Sequence, residues 1–98
     1  MGLVYVSATV VAKEGKEAEL GHALVALMAD VRAEDGCIRY DLHKSEDGKG
    51  FLFYEIWENM DALVAHGETP HMNAMREATV DLVAGPAVVD IWEAVDVV

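Results

Sequence analysis

The feature that most constrains the fold is an amphipathic helix pattern that lies between two segments with the patterns of β-strands. From Lys16 to Glu34, apolar residues recur three and four positions apart, as on one face of an amphipathic helix: Leu20, Ala23, Leu24, Leu27, Met28 and Val31. The preceding segment, Leu3 to Ala12, is rich in valine and predicts a strand. Gly36 is expected to cap the helix. The following segment, Cys37 to Lys44, alternates as a strand with one wetter face, the other face carrying Ile38, Tyr40 and Leu42.

A hairpin and a short helix come next. The polar run from Ser45 to Gly50 predicts the loop of a hairpin, and Phe51 to Trp57 predicts its second strand. Asn59 is placed to accept a hydrogen bond from the first free amides of a short helix, Met60 to His66. Gly67 is expected to end that helix.

The last part of the chain predicts one more helix and one more strand. Thr69 is a suitable N-cap, and Pro70 suits the first helical position, where a missing N–H costs nothing. We expect this helix to continue to about Val83, where the pair Gly85-Pro86 ends it. The segment Val88 to Val95 alternates again and predicts the final strand.

The order β-α-β-β-α-β predicts one α+β domain over residues 1–98, a ferredoxin-like split βαβ fold with helices on one face of a four-stranded antiparallel sheet. The strands carry apolar residues at both parities, and the sequence leaves open which set faces the helices: Val4, Val6, Leu52, Tyr54 and Ile56 at even positions, and Leu3, Tyr5, Phe51, Phe53 and Trp57 at odd positions. Because helices cover one face only, we expect a homodimer in which two sheets form a shared barrel.

Charge and composition exclude several classes of partner. The formal net charge is −11, and no cluster of lysine or arginine is present, so neither nucleic acid nor an anionic membrane is an expected partner. No apolar run is long enough to span a membrane and no basic leader precedes one, so a cytoplasmic location is expected. The single cysteine, Cys37, is expected to be a small buried residue rather than a nucleophile.

Two histidines are the leading candidates for chemistry. His66 lies at the end of the predicted short helix, where the helix dipole favours the imidazolium. His71 lies at the second position of the next helix, where the same effect favours the neutral ring. The pair could therefore act as acid and base near pH 7, although either ring could instead cap a helix end. Their spacing does not match a known metal site.

Three further residues could contact a substrate. Trp57 offers an aromatic face for stacking, or alternatively fills the core. Glu55 shares a strand face with Trp57, so if buried it must be paired, with a lysine or arginine for example, or have a raised pKa. Asn59 is expected foremost as a helix cap.

Together with Glu34 to Tyr40, the stretch from Phe53 to His71 resembles the antibiotic biosynthesis monooxygenase family. In that family a Glu-x-Trp strand leads into Ala-x-x-x-His and then Thr-Pro-His, as in Glu55-Ile56-Trp57, Ala62 to His66 and Thr69-Pro70-His71 here. The resemblance implies a dimeric barrel with a pocket between sheet and helices in each subunit.

The function implied by the resemblance is a cofactor-independent monooxygenase. It would oxidise a small electron-rich aromatic of quinol, naphthol or anthrone type with dioxygen, using His71 or His66 as base. The substrate would meet Trp57, Glu55, Ser7 and Asn59.

Two alternatives come from other classes. Haem-degrading members of the family place an asparagine on the first strand where this chain has Ser7, which argues against haem. No nucleotide or cofactor fingerprint is present, so no cofactor is expected. The second alternative is a non-catalytic ligand-binding domain on the same scaffold, because a fold does not establish an activity.

Overall fold

Three helices pack on one side of a single antiparallel sheet in the computed structural model, which describes residues 2–97. The sheet has the strand order β2-β3-β1-β4. This arrangement confirms the α+β, ferredoxin-like prediction. The elements are β1 (Val4–Val11), α1 (Glu17–Arg32), β2 (Cys37–Lys44), β3 (Gly50–Trp57), α2 (Met60–Gly67), α3 (Pro70–Thr79) and β4 (Val88–Trp92).

Strand register decides which residues face the helices. Val6 of β1 pairs with Glu55 of β3, so even positions of β1 share a sheet face with odd positions of β3. The helix-facing side therefore draws on both of the sets that the sequence suggested. It carries Val4, Val6, Ala8, Phe51, Phe53, Glu55 and Trp57.

A β-bulge near the start of β2 changes the expected alternation. Cys37 pairs with Trp57 and Arg39 pairs with Ile56, which leaves one extra residue on β2. Tyr40 is consequently buried while Ile38 is exposed. The prediction that Ile38 lies on the same side as Tyr40 and Leu42 is therefore wrong.

The first helix ends earlier than predicted. Its last helical residue is Arg32 rather than Glu34, and Ala33 rather than Gly36 is its C-cap. Gly36 instead lies in the following turn with a φ of +82°, a left-handed conformation that favours glycine. Glu34 therefore lies in the turn before β2 and not in the helix.

The last helix is also shorter than predicted. It ends at Thr79, not near Val83, because Val83 pairs with Ala12 beyond the end of β1. The backbone N–H of Ala84 donates to the carbonyl of Val11 over 2.8 Å. These long-range bonds take the segment out of the helix, and β4 then ends at Trp92 rather than Val95.

The predicted N-terminal caps of both later helices are confirmed. The Asn59 side chain accepts from the N–H of Ala62 over 2.9 Å. Thr69 accepts from the N–H of Met72 over 3.3 Å, and Pro70 is the first residue of α3. These bonds fix where α2 and α3 begin, and so position the two histidines that lie on them.

The sheet face away from the helices exposes large apolar side chains. Tyr54, Val88 and Trp92 lie on it, and Trp92 is 57% exposed. The Trp92 indole N–H donates to the hydroxyl of Ser7 over 2.8 Å, which lays the indole across β1. None of the helices within the described residues combines the length and apolarity needed to cross a membrane.

We predict that Gly36→Ala destabilises the fold by about 1–3 kcal/mol. A Cβ at this position would lie 2.6 Å from the Cβ of Ala62, and the left-handed backbone adds strain. The matched control is Gly48→Ala, where φ is also positive but nothing lies within 4 Å, so only about 1 kcal/mol should be lost. Urea unfolding measures both, and equal losses would show that the contact with α2 does not matter.

Candidate functional site

A cavity of about 470 Å³ lies between the helix-facing side of the sheet and the helices. Its wall is mostly apolar, with Val6 and Ala8 from β1 and Met72 and Met75 from α3 among the lining residues. A concave apolar cavity with few polar groups is the usual form of a small-molecule site. The ionisable side chains that line it are Tyr40, Glu55, His66 and Arg76.

His66 lines the cavity and has one ring nitrogen in contact with a carboxylate. Its Nδ1 lies 3.1 Å and 3.2 Å from the two carboxylate oxygens of Glu34. Because a carboxylate only accepts, we assign the ring proton to Nδ1, which leaves a lone pair on Nε2. Every fully enclosed polar side-chain atom among residues 2–97 has a hydrogen-bond partner. Nε2 has none, so it is not fully enclosed, and His66 lines the cavity.

Glu34 joins the two histidines. One of its carboxylate oxygens also lies 2.5 Å from Nε2 of His71, so Glu34 accepts from both rings. The sequence did not single out Glu34 as a site residue, because 32 and 37 positions separate it from the histidines. Glu34 can reach the histidines because α1 ends at Arg32, and no local sequence pattern predicts that end.

Burial dominates the electrostatics of His66. The residue is 5% exposed, and the lost hydration lowers its pKa, against the opposing effect of the hydrogen bond that it donates to Glu34. The imidazolium that the sequence analysis expected at His66 from the helix dipole is therefore not favoured, because burial outweighs the dipole. The neutral ring is the form that can accept a proton.

Glu55 is a buried carboxyl without a cationic partner in the described part of the chain. It is 4% exposed, and burial raises its pKa to about 7, assisted by the negative charge of Glu34. The indole N–H of Trp57, which donates to Oε1 over 2.8 Å, pulls the pKa the other way. Oε2 makes no hydrogen bond and, by the same reasoning as for His66, opens to the cavity that Glu55 lines. Glu55 can therefore exchange a proton near neutral pH.

Trp57 lies behind the cavity wall and not on its surface. Its side chain is 0% exposed and is not among the lining residues. Its ring centroid is 4.6 Å from that of His66, and its N–H is taken by Glu55. Trp57 therefore supports the two ionisable groups, and the structure gives it no face on which a substrate could stack.

Three other residues that the sequence singled out also do not line the cavity. Ser7 points to the opposite face of the sheet, where it binds Trp92, because β1 alternates between Val6 inside and Ser7 outside. Asn59 is occupied as the cap of α2. His71 contacts Glu34 and is not among the lining residues.

Two lining residues escaped the sequence analysis. Tyr40 lies 5.6 Å, centroid to centroid, from the ring of His66, and burial raises its pKa. Arg76 donates to the carbonyl of Gly67 and to the side chain of Asn73, both over 2.9 Å. Neither residue belongs to a recognisable spacing, because strand pairing and helix packing alone bring them to the cavity.

The described residues contain neither an activated thiol nor a metal-binding cluster. Cys37 is half-buried, and burial raises the pKa of its thiol, with Glu34 and Glu55 acting in the same direction. It is therefore a poor nucleophile. Between residues 2 and 97, no three or more histidine, cysteine or acidic side chains are grouped as a metal site.

We predict that Glu55 makes folding stability fall as pH rises. Its pKa of about 7 in the folded protein lies above the ordinary value of 4.5, so the folded state holds the proton more tightly. The free energy of unfolding should fall by about 3 kcal/mol between these two pH values and level off above them. Urea unfolding across this range should show a smaller fall in Glu55→Gln, and identical pH dependence in both proteins would contradict the assignment.

Sequence comparison finds known proteins that are similar to most of this chain. A protein of Synechocystis without an assigned function is 32% identical over 92% of this chain, which spans 62% of that protein's length. The Mycobacterium tuberculosis protein named "Putative monooxygenase Rv0793" is 34% identical over 74% of this chain and 72% of its own length.

Two solved structures extend the match to the whole fold. Rv0793 superposes with a TM-score of 0.90 at 30% identity over 97% of both chains. PA3566 of Pseudomonas aeruginosa gives 0.91 at 30% identity over 98% of this chain and 97% of its own. Residues 3–78 match the family model described as antibiotic biosynthesis monooxygenase. This chain therefore belongs to the antibiotic biosynthesis monooxygenase family.

Proposed function

We propose that this protein is a cofactor-independent monooxygenase that oxidises a small electron-rich aromatic hydroxyl compound with dioxygen. One observation carries the proposal: His66 lines an apolar cavity, and its Nδ1 lies 3.1 Å from the carboxylate of Glu34. We infer that the ring is neutral, because burial lowers its pKa, and that its Nε2 lone pair faces the cavity. A histidine whose second nitrogen is held by a carboxylate is the usual arrangement of a general base.

The chemistry needs little more than removal of one proton. An electron-rich quinol, naphthol or anthrone reduces dioxygen directly once it is ionised. With a naphthol or anthrone, one oxygen atom becomes a new ring carbonyl and the other leaves as water. His66 takes the acidic proton, which is on the hydroxyl of a quinol or naphthol and on the ring CH2 of an anthrone, and the carboxyl of Glu55 supplies a proton to the departing oxygen. The two groups thus divide the roles of base and acid.

The cavity itself favours an aromatic ligand. Its 470 Å³ lies within the range of about 300–1,000 Å³ typical of small-molecule sites, and its wall is mostly aliphatic and thioether. Such a wall excludes water from a reactive anion. The name of the Mycobacterium tuberculosis relative also supports an oxygenase.

We predict that His66→Gln lowers oxygen uptake with the best substrate of a panel of menadiol, 1-naphthol and anthrone by about 100-fold or more. The matched control is His22→Gln, since His22 is an exposed histidine of α1 and does not line the cavity. Its rate should equal that of the unaltered protein.

Other outcomes of the same assay decide against the proposal. An unchanged rate in folded His66→Gln removes His66 as the base. Tight binding of the panel without any oxygen uptake supports a non-catalytic ligand-binding domain. A stoichiometric haem absorption band that survives gel filtration supports a haem-degrading oxygenase.

We also propose a homodimer joined through the sheet face that carries Tyr54, Val88 and Trp92. The support is the size and chemistry of these exposed side chains, because monomeric proteins rarely leave a large contiguous apolar patch in water. The helices cannot cover this face, since they pack on the other side of the sheet.

We predict a mass of about twice 10.7 kDa by light scattering at micromolar concentration. Trp92→Asp places a charge in the proposed interface and should give monomers. Val25→Asp, at an equally exposed apolar position on α1, should leave the mass unchanged. Monomeric behaviour of the unaltered protein would exclude the dimer.

A further inference from the structure

We propose that His71 is the proton exit of the site: it releases a proton to water as His66 accepts one from the substrate hydroxyl, so that Glu34 always faces a single imidazolium. The inference rests on the proposed role of His66 as the base. His71 does not line the cavity. Its proposed role is to release a proton, which is more than holding Glu34 in position.

The contacts form a continuous path from the cavity to solvent. Nδ1 of His66 lies 3.1 Å from one oxygen of Glu34, and Nε2 of His71 lies 2.5 Å from the other. Side-chain exposure rises along this path, from 6% at His66 through 11% at Glu34 to 24% at His71. Nδ1 of His71 makes no hydrogen bond within residues 2–97 and is not fully enclosed, so it can reach water.

The charge balance explains why two histidines share one carboxylate. A buried carboxylate is costly without a compensating positive charge, while two imidazoliums around one carboxylate would leave an excess positive charge. We assign the resting positive charge to His71, the more exposed of the two rings, because burial lowers the pKa of His66 and leaves that ring neutral. Nε2 of His71 donates to Glu34, and we expect the carboxylate to outweigh the start of α3, which alone would favour a neutral ring. When Nε2 of His66 takes the substrate proton, the charge moves to His66. His71 then loses its Nδ1 proton to water, and no proton crosses Glu34 itself.

The other charged groups around the histidines do not offer this exit. Arg76 on α3 is a permanent cation that acts on His66 from a distance and cannot release a proton near neutral pH. Glu55 on β3 opens to the cavity and not to solvent. Tyr40 on β2 holds its proton more tightly because of burial. Of the groups facing this part of the site, His71 alone is both linked to His66 through Glu34 and in contact with water.

The test counts protons and needs no turnover. The probe is 4-nitrophenol, an aromatic hydroxyl compound whose ionised form absorbs visible light, at a pH where the free compound is mainly un-ionised. Isothermal titration calorimetry in buffers of different ionisation enthalpy gives the number of protons released for each molecule bound. The unaltered protein should bind 4-nitrophenol as its anion and release about one proton.

Two variants distinguish a role of His71 in proton release from a role in positioning Glu34. His71→Gln keeps an N–H donor for Glu34 but cannot lose a proton, so the bound anion should still form while proton release falls to near zero. His66→Gln removes the base, so the bound probe should stay un-ionised. A merely positioning role for His71 predicts the same proton count in the unaltered protein and in His71→Gln.

Each remaining result overturns a defined part of the inference. Release of one proton by His71→Gln shows that the proton leaves by another route. Formation of the anion in the unaltered protein without proton release removes the exit and leaves His66 as the base. Absence of the anion in the unaltered protein removes the base, and with it the proposed oxidation mechanism.

Discussion

Glu34 connects the three segments on which the site depends. It lies in the turn after α1 and accepts hydrogen bonds from His66 on α2 and from His71 on α3. Its carboxylate therefore fixes the tautomer of His66, aligns the second nitrogen of that ring with the cavity and holds both helices against the end of α1. The close contact between Gly36 and Ala62 is part of the same arrangement, because α2 must approach this turn for the hydrogen bonds to form. Removing the carboxylate would leave two partly buried rings without a common acceptor.

The elements were predictable because each has a local signal, whereas the site was only half predictable because its geometry is not local. Periodicity gave the helix of Leu20 to Val31, and capping residues gave the starts of α2 and α3. The same local signals placed the end of α3 too late, because the pairing of Val83 with Ala12 overrides helix propensity. His66 and Glu55 were recognisable from a family motif. Glu34, by contrast, depends on where α1 stops, and Ser7 was assigned to a face that only strand register decides.

The pKa values of His66 and Glu55 also depend on both local and distant parts of the chain. The position of His66 at the end of α2 favours a positive charge through the helix dipole, an effect of about 0.3–1 kcal/mol at an exposed site. Enclosure by Trp57, Tyr40 and the cavity wall opposes that charge more strongly, and the pKa of His66 falls. The same enclosure raises the pKa of Glu55. Burial thus raises the pKa of a carboxyl to about 7 and lowers the pKa of an imidazole, which favours a proton on Glu55 and a neutral ring at His66.

The two edges of the sheet are unequal. The β2 edge is interrupted by a bulge, bears the ion pair of Arg39 with Asp41, and has its Tyr40 carbonyl occupied by the guanidinium of Arg32. The β4 edge is short and exposes apolar side chains on both faces, without a comparable block. A strand from another molecule would therefore meet fewer obstacles at the β4 edge than at the β2 edge. Growth into a fibre by strand addition needs both edges of every copy, so the obstructed β2 edge disfavours it.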